Sequence, residues 1–140
     1  AIYYRSFKHG TEMYANWLAD ALHADLYSYG WSNKGDFEGY DRVIVMSAVY
    51  MFRFMPLKGF LIKNWDRLKD KEVIAISCGV APEDNQVTIK VHESVPQYIR
   101  DRIKFFTLQG AVPGAKGELQ AREIRKENVD ALLKKIAGNA

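Results

Sequence analysis

Apolar positions along this chain follow two periods in turn: continuous or near-continuous runs, then helical spacing, again and again. Ile2-Tyr3-Tyr4 opens with a short apolar run, which predicts a buried strand over residues 1–6. Met13, Tyr14, Trp17, Leu18 and Leu22 then fall at helical spacing, giving one apolar face from about Thr11 to His23. Ala24 to Tyr29 reads as a second strand, short and near an edge. The stretch from Gly30 to Gly39 is rich in turn formers and too short for a full packed helix. Arg42-Val43-Ile44-Val45-Met46-Ser47 has the composition of a strand buried on both faces. Ala48 to Met55 is then an aromatic-rich loop carrying Tyr50, Phe52 and Phe54.

Pro56 is placed to open a helix whose buried stripe is Leu57, Phe60, Leu61, Trp65 and Leu68. Val73 to Cys78 repeats the doubly buried strand pattern and ends at Gly79. Between Asp84 and Val91 the signal is double. Val87, Ile89 and Val91 alternate as in a strand, while Val87 and Val91 alone suit a helix. A crossover is due there, so a helix is expected. Ser94-Val95-Pro96-Gln97 resembles a capping box opening a short helix with Ile99 and Ile103 inward. Phe105 to Leu108 is the fifth strand, closed by Gly110. Ala111 to Ile124 is a glycine-bearing loop, and Val129, Leu132, Leu133 and Ile136 mark a final amphipathic helix ending near Gly138.

Strand alternating with helix or crossover implies a parallel sheet with helices on both faces. Crossover handedness then restricts the chain to a doubly wound three-layer α/β/α sandwich. With 140 residues, a single domain over 1–140 can bury a sufficient core without staples. The single cysteine, Cys78, leaves no internal disulfide and suits a reducing compartment. Lys and Arg exceed Asp and Glu by 20 to 17 and are spread along the chain, so charge alone gives no case for nucleic acid. No apolar run is long enough to span a membrane and no basic-then-apolar leader opens the sequence. The expectation is a cytoplasmic domain.

The chemistry concentrates in Ser6-Phe7-Lys8-His9-Gly10-Thr11, between the first strand and the first helix. A strand turning tightly into a helix N-terminus presents unpaired N–H groups and the positive end of the helix dipole. Ser6 and Thr11 add hydroxyl donors, and Gly10 lets the backbone bend or approach a ligand. This is a candidate phosphate-binding loop; the alternative is an ordinary turn with polar caps. A dinucleotide fold would need G-x-G-x-x-G, where only Gly10 is present, and the P-loop pattern is absent. An acidic phosphoacceptor site fails, because Arg5, Ser6 and Ser47 occupy the required positions. A phosphatase-type cysteine loop would need Arg where Asp84 stands. His9, His23 and His92 lack metal-ligand spacing, so no metal is expected.

With these residues in view, the chain from Ile2 to about Gly110 resembles the flavodoxin family. That family's first loop reads hydroxyl residue, x, Thr, Gly, x, Thr and holds the FMN phosphate. Here Ser6 and Thr11 match its ends, Lys8 stands for the middle Thr, and His9-Gly10 stand for Gly-x. A branch carrying Lys-His-Gly in this loop, which includes the menaquinone-dependent protoporphyrinogen oxidase type, is closer still. Gly39 to Val45 followed by Ser47-Ala48-Val49-Tyr50, then Ser77 to Pro82, and Phe105 to Ala111 are similar to that branch's later strands and loops.

The resemblance implies a five-stranded parallel sheet of order 2-1-3-4-5 and FMN at the carboxyl ends of the strands. The implied contacts are Ser6, Phe7, Lys8, His9, Gly10 and Thr11 for the phosphate. Ala48, Val49 and Tyr50 would lie against the ring, with Tyr50 stacking on it. Backbone groups of Cys78, Gly79 and Val80 would meet its pyrimidine edge. No protein acid or base is implied. The chain would serve as an electron carrier or FMN-dependent oxidoreductase, working with a redox partner protein or a small quinone-like acceptor. The sequence departs from the family at the middle Thr and the Gly of the first loop. It also lacks a Tyr between Gly79 and Asn85, and its net charge is +3 where flavodoxins are acidic. The segment from Ala111 to Lys126 is too short for the oxidase type's long insertion. These departures keep a second reading open, a flavin-free module of the same fold that binds a partner or another anion and could form a homodimer.

Overall fold

The computed structural model describes residues 1–5, 10–29, 36–48, 55–79, 86–109 and 126–138. Five strands, β1 (Ile2–Arg5), β2 (Leu26–Ser28), β3 (Arg42–Ala48), β4 (Glu72–Gly79) and β5 (Ile103–Gln109), form one sheet. All neighbouring pairs are parallel, in the order β2-β1-β3-β4-β5. The helices are α1 (Gly10–Leu22), α2 (Met55–Leu68), α3 (Gln86–Glu93), the single turn α4 (Gln97–Arg100) and α5 (Lys126–Gly138). The strand order reverses between β1 and β3, so the switch point where open α/β sheets take ligands lies there.

Strand alternation divides the core in two. Ile2, Ile44, Met46, Ile74, Ile76, Cys78, Phe106 and Leu108 face α1 and α5, where Tyr14, Leu18, Val129, Leu132 and Ile136 close over them. Tyr3, Val43, Val45, Val73 and Ala75 face α2 and α4, meeting Leu57, Phe60, Leu61, Leu68 and Ile99. Asn128 Nδ2 donates to the Tyr14 hydroxyl at 2.9 Å and ties α5 to α1.

The expected elements are present with shifted ends. Arg42 to Ser47 and Val73 to Cys78 are the two central strands, and the ambiguous stretch before Val91 is helical. In α1 the apolar face turns: Tyr14, Ala15 and Leu18 are buried, whereas Met13 is 42% exposed. The short helix starts two residues later than the expected capping box at Ser94 places it. The N-cap of α4 is Pro96, without a side-chain hydrogen bond. Ser94 lies instead in the turn that closes α3, its amide donating to Lys90 O at 3.1 Å. Ile103 belongs to β5 and not to the short helix. Gly30 to Gly35, Val49 to Phe54 and the 111–124 loop lie outside the described residues.

Candidate functional site

Three of the connections that leave the carboxyl ends of the strands carry the residues expected to bind a ligand. β1 ends at Arg5, and the chain returns to the described residues at Gly10, where α1 begins. The first-turn amides of α1 have no partners within the helix, so this end faces the switch point with positive polarity. Thr11, in that first turn, is fully buried, and among the described residues its Oγ1 has no oxygen or nitrogen partner, only the weakly polar Cys78 thiol beside it. A buried hydroxyl left unpaired costs about 1–3 kcal/mol, so its presence at an anion-attracting helix end is informative. Glu12 is the acidic group of the same turn, and Tyr4 engages it: burial raises the Tyr4 phenol first, then the Glu12 charge and hydrogen bond add.

Ala48 and Cys78 pair in register across β3 and β4, and Gly79 follows. The structure therefore brings Gly10, Thr11, Ala48, Cys78 and Gly79 to one end of the sheet. Ser6, Phe7, Lys8, His9, Val49, Tyr50 and Val80 lie outside the described residues. The Cys78 side chain points into the apolar core and is fully buried. Burial pushes its thiol up to about 12, against a smaller downward pull from the neighbouring Thr11 hydroxyl. Such a thiol is inert at neutral pH, so Cys78 offers the site its backbone and not a thiolate.

On the opposite face, the last row of the sheet turns polar. Arg5 pairs with Ser47, Ser47 with Ser77, and Ser77 with Thr107, all in register. The Ser77 hydroxyl lies 3.2 Å from Thr107 Oγ1 and 3.1 Å from His92 Nε2 on α3. The His92 ring stacks on Phe105 with centroids 4.6 Å apart. At the other end of the row, Arg5 Nη1 donates to Tyr29 O at 3.3 Å, and the Tyr29 hydroxyl donates to Met46 O at 3.1 Å. Burial drives the Tyr29 phenol far above its ordinary value, while the Ser47 hydrogen bond and the Arg5 charge oppose it. Sequence reasoning named none of these as a group. Their signal was a hydroxyl recurring near the end of each apolar run, in Ser47, Ser77 and Thr107. Among the described residues no cluster of His, Cys, Asp and Glu could hold a metal ion.

A parallel sheet of this order, with a helix N-terminus aimed at its switch point, defines a flavodoxin-like α/β protein. The sequence matches the flavodoxin domain over residues 1–132, and the chain belongs to that family. In structure it is similar to a candidate flavoprotein from Bacteroides eggerthii, with TM-score 0.61, 15% identity, and coverage of 97% of this chain and 96% of that one. A second candidate flavoprotein, from Bacteroides uniformis, gives TM-score 0.59 at 13% identity, covering 95% and 96%. A flavodoxin from the domain Archaea gives 0.55 at 11%, covering 97% and 96%. These likenesses concern the fold. Among curated proteins, the chain is 25% identical over 103 residues to the ribosome-recycling factor of Bacteroides fragilis, covering 71% of this chain and 54% of that protein. The chain thus spans about half the length of the curated relatives it matches. No helix among the described residues is long and apolar enough to cross a membrane.

Proposed function

We propose that the chain binds FMN at the carboxyl end of its sheet and passes electrons between a reductase and an acceptor, either a protein or a small quinone-like molecule. One observation carries this reading: Thr11 Oγ1, buried and without an oxygen or nitrogen partner among the described residues, in the first turn of a helix directed at the switch point. A phosphate monoester supplies the acceptor that this hydroxyl lacks, and the helix end supplies complementary polarity. Family membership and the flavoprotein neighbours agree with that choice of ligand. Ser6, Phe7, Lys8, His9 and Gly10 would complete the phosphate loop, with Lys8 providing charge where the family has a hydroxyl. Ala48, Val49 and Tyr50 would take one side of the ring, and the backbone of Cys78, Gly79 and Val80 its edge. Bound FMN supplies reversible electron transfer; the chain's residues hold and orient it and set its surroundings.

Domain 1–140 as one unit, and the finer likeness to the menaquinone-dependent protoporphyrinogen oxidase branch through Lys8-His9-Gly10, form part of the same proposal. The departures in the first loop favour the second reading, a flavin-free module of this fold. Purification followed by visible absorbance and FMN titration separates the two. A yellow protein, or a colourless one that takes up FMN in equimolar amount, supports the carrier. A folded protein that ignores added FMN supports the module.

A further inference from the structure

A second cavity lies away from the nucleotide end, on the α2 side of the sheet beside the edge strand β2. It encloses about 410 Å³, within the range of about 300–1,000 Å³ common for small-molecule sites. Its floor is aromatic. Tyr3, Tyr29 and Phe60 are buried there, and the Tyr3 and Tyr27 rings stack with centroids 5.0 Å apart. Its rim carries Asp36 and Glu38, both exposed to solvent. The Tyr3 hydroxyl fixes that rim: it donates to Asp36 O at 2.8 Å and accepts the Asp36 amide at 3.1 Å. Asp36 Oδ1 in turn accepts the Glu38 amide at 3.2 Å. On the outer side the Tyr27 and Tyr40 hydroxyls meet at 3.1 Å, and Tyr40 donates to the Asp25 carboxylate.

The electrostatics of this cavity run against those of the whole chain. The chain carries a net charge of +3, yet among the described residues every ionisable side chain lining the cavity is a carboxyl or a phenol. Among the described residues the basic groups near it have other partners, Arg5 Nη1 donating to Tyr29 O. Lys71 Nζ donates to the Tyr40 carbonyl, and the Arg67 guanidinium lies 5.2 Å over Phe37 while also donating to Asn64 Oδ1. Ring faces are negative and attract cations, and the two carboxylates add to that attraction.

We propose that this cavity binds a small organic cation, an amine with a flat or compact apolar body. The exposed Tyr27 ring and the half-buried Tyr40 ring would take the body over the packed floor, and Asp36 and Glu38 would take the ammonium. The site shares the buried Tyr29 with the polar row, but its carboxylates and the Tyr27 ring take no part in the nucleotide end, so its failure and the failure of the FMN reading are separate results.

The test is a titration of the full chain with phenethylammonium, phenethyl alcohol and phenylacetate, read by calorimetry and by the amide NMR shifts of Tyr27, Glu38 and Gly39. The cation should saturate those shifts, with the alcohol and the anion weaker by about tenfold or more. Glu38→Gln and Tyr27→Leu alter exposed side chains and should keep the fold, verified by unchanged melting. Each should weaken the cation by about twofold to fivefold, added salt should weaken it further, and FMN should leave it unchanged. Equal binding of all three probes, binding of none, or an affinity indifferent to both substitutions would overturn the proposal.

Discussion

The two faces of the sheet differ most at the carboxyl end. Toward α1 and α5, the strands stay apolar to the last row, with Met46, Cys78 and Leu108 all buried. Toward α2, the neighbouring positions are Arg5, Ser47, Ser77 and Thr107, joined by hydrogen bonds to Tyr29 and His92. One face continues the core; the other gives up apolar burial at the row nearest the ligand loops. A row of hydroxyls contributes less hydrophobic stabilisation than the Ile and Val it replaces, so its value lies in orienting polar groups next to the site. The two faces should therefore respond differently to substitution.

The largest effect is expected on the apolar face. Ile76→Ala removes a fully buried side chain and should cost about 2–5 kcal/mol in urea unfolding, with little change in FMN affinity. A loss of affinity without a loss of stability would reverse the roles assigned to the faces. Next comes alkaline pH. The Cys78 thiol ordinarily titrates at 9.0 and is pushed up to about 12 in the fold. The unfolded chain therefore gives up its proton first, and stability falls as pH rises above about 9, by about 1.4 kcal/mol per unit for this one group. Urea melts at pH values on either side of the thiol's ordinary value, repeated with Cys78→Ala, should show a steeper fall in the unaltered protein, the fall left in the variant coming from buried phenols such as Tyr29.

Ser77→Ala probes the polar face. Removing the hydroxyl between His92 and Thr107 should cost about 1–3 kcal/mol and loosen α3, read as faster amide exchange across residues 86–93. Unchanged exchange in α3 would mean that the row does not brace that helix. The smallest effect lies far from either face: His23 ends α1 with φ 52°, a conformation that glycine adopts without strain. His23→Gly should raise stability by up to about 1 kcal/mol, offset in part by the freer unfolded chain.

Much of this architecture was legible in the sequence because it follows from local periods. The doubly buried runs around Ile44 and Ile76 could only be central parallel strands, and Pro56 marked the start of α2 to within a residue. Met13 escaped because a helical face read from spacing alone takes in residues at its margin. The start expected at Ser94 came two residues early because that residue closes the preceding helix, a competition that a four-residue pattern does not reveal. The polar row was illegible for a different reason. Arg5, Ser47, Ser77 and Thr107 are far apart in sequence and meet only through strand register. Of the candidate ligand loops, the sequence marked where Thr11 begins its helix but not that its hydroxyl would be buried without an oxygen or nitrogen partner among the described residues.

The central claim is that Thr11 and the amino end of α1 hold a phosphate. It is tested most directly by comparing the affinities of FMN and of riboflavin, which lacks that group, for the unaltered chain and for Thr11→Val. FMN should bind far more tightly than riboflavin, and Thr11→Val should weaken FMN by about 1–3 kcal/mol while leaving riboflavin nearly unchanged. Equal affinities for the two flavins, or a Thr11→Val protein that binds FMN as well as before, would contradict it.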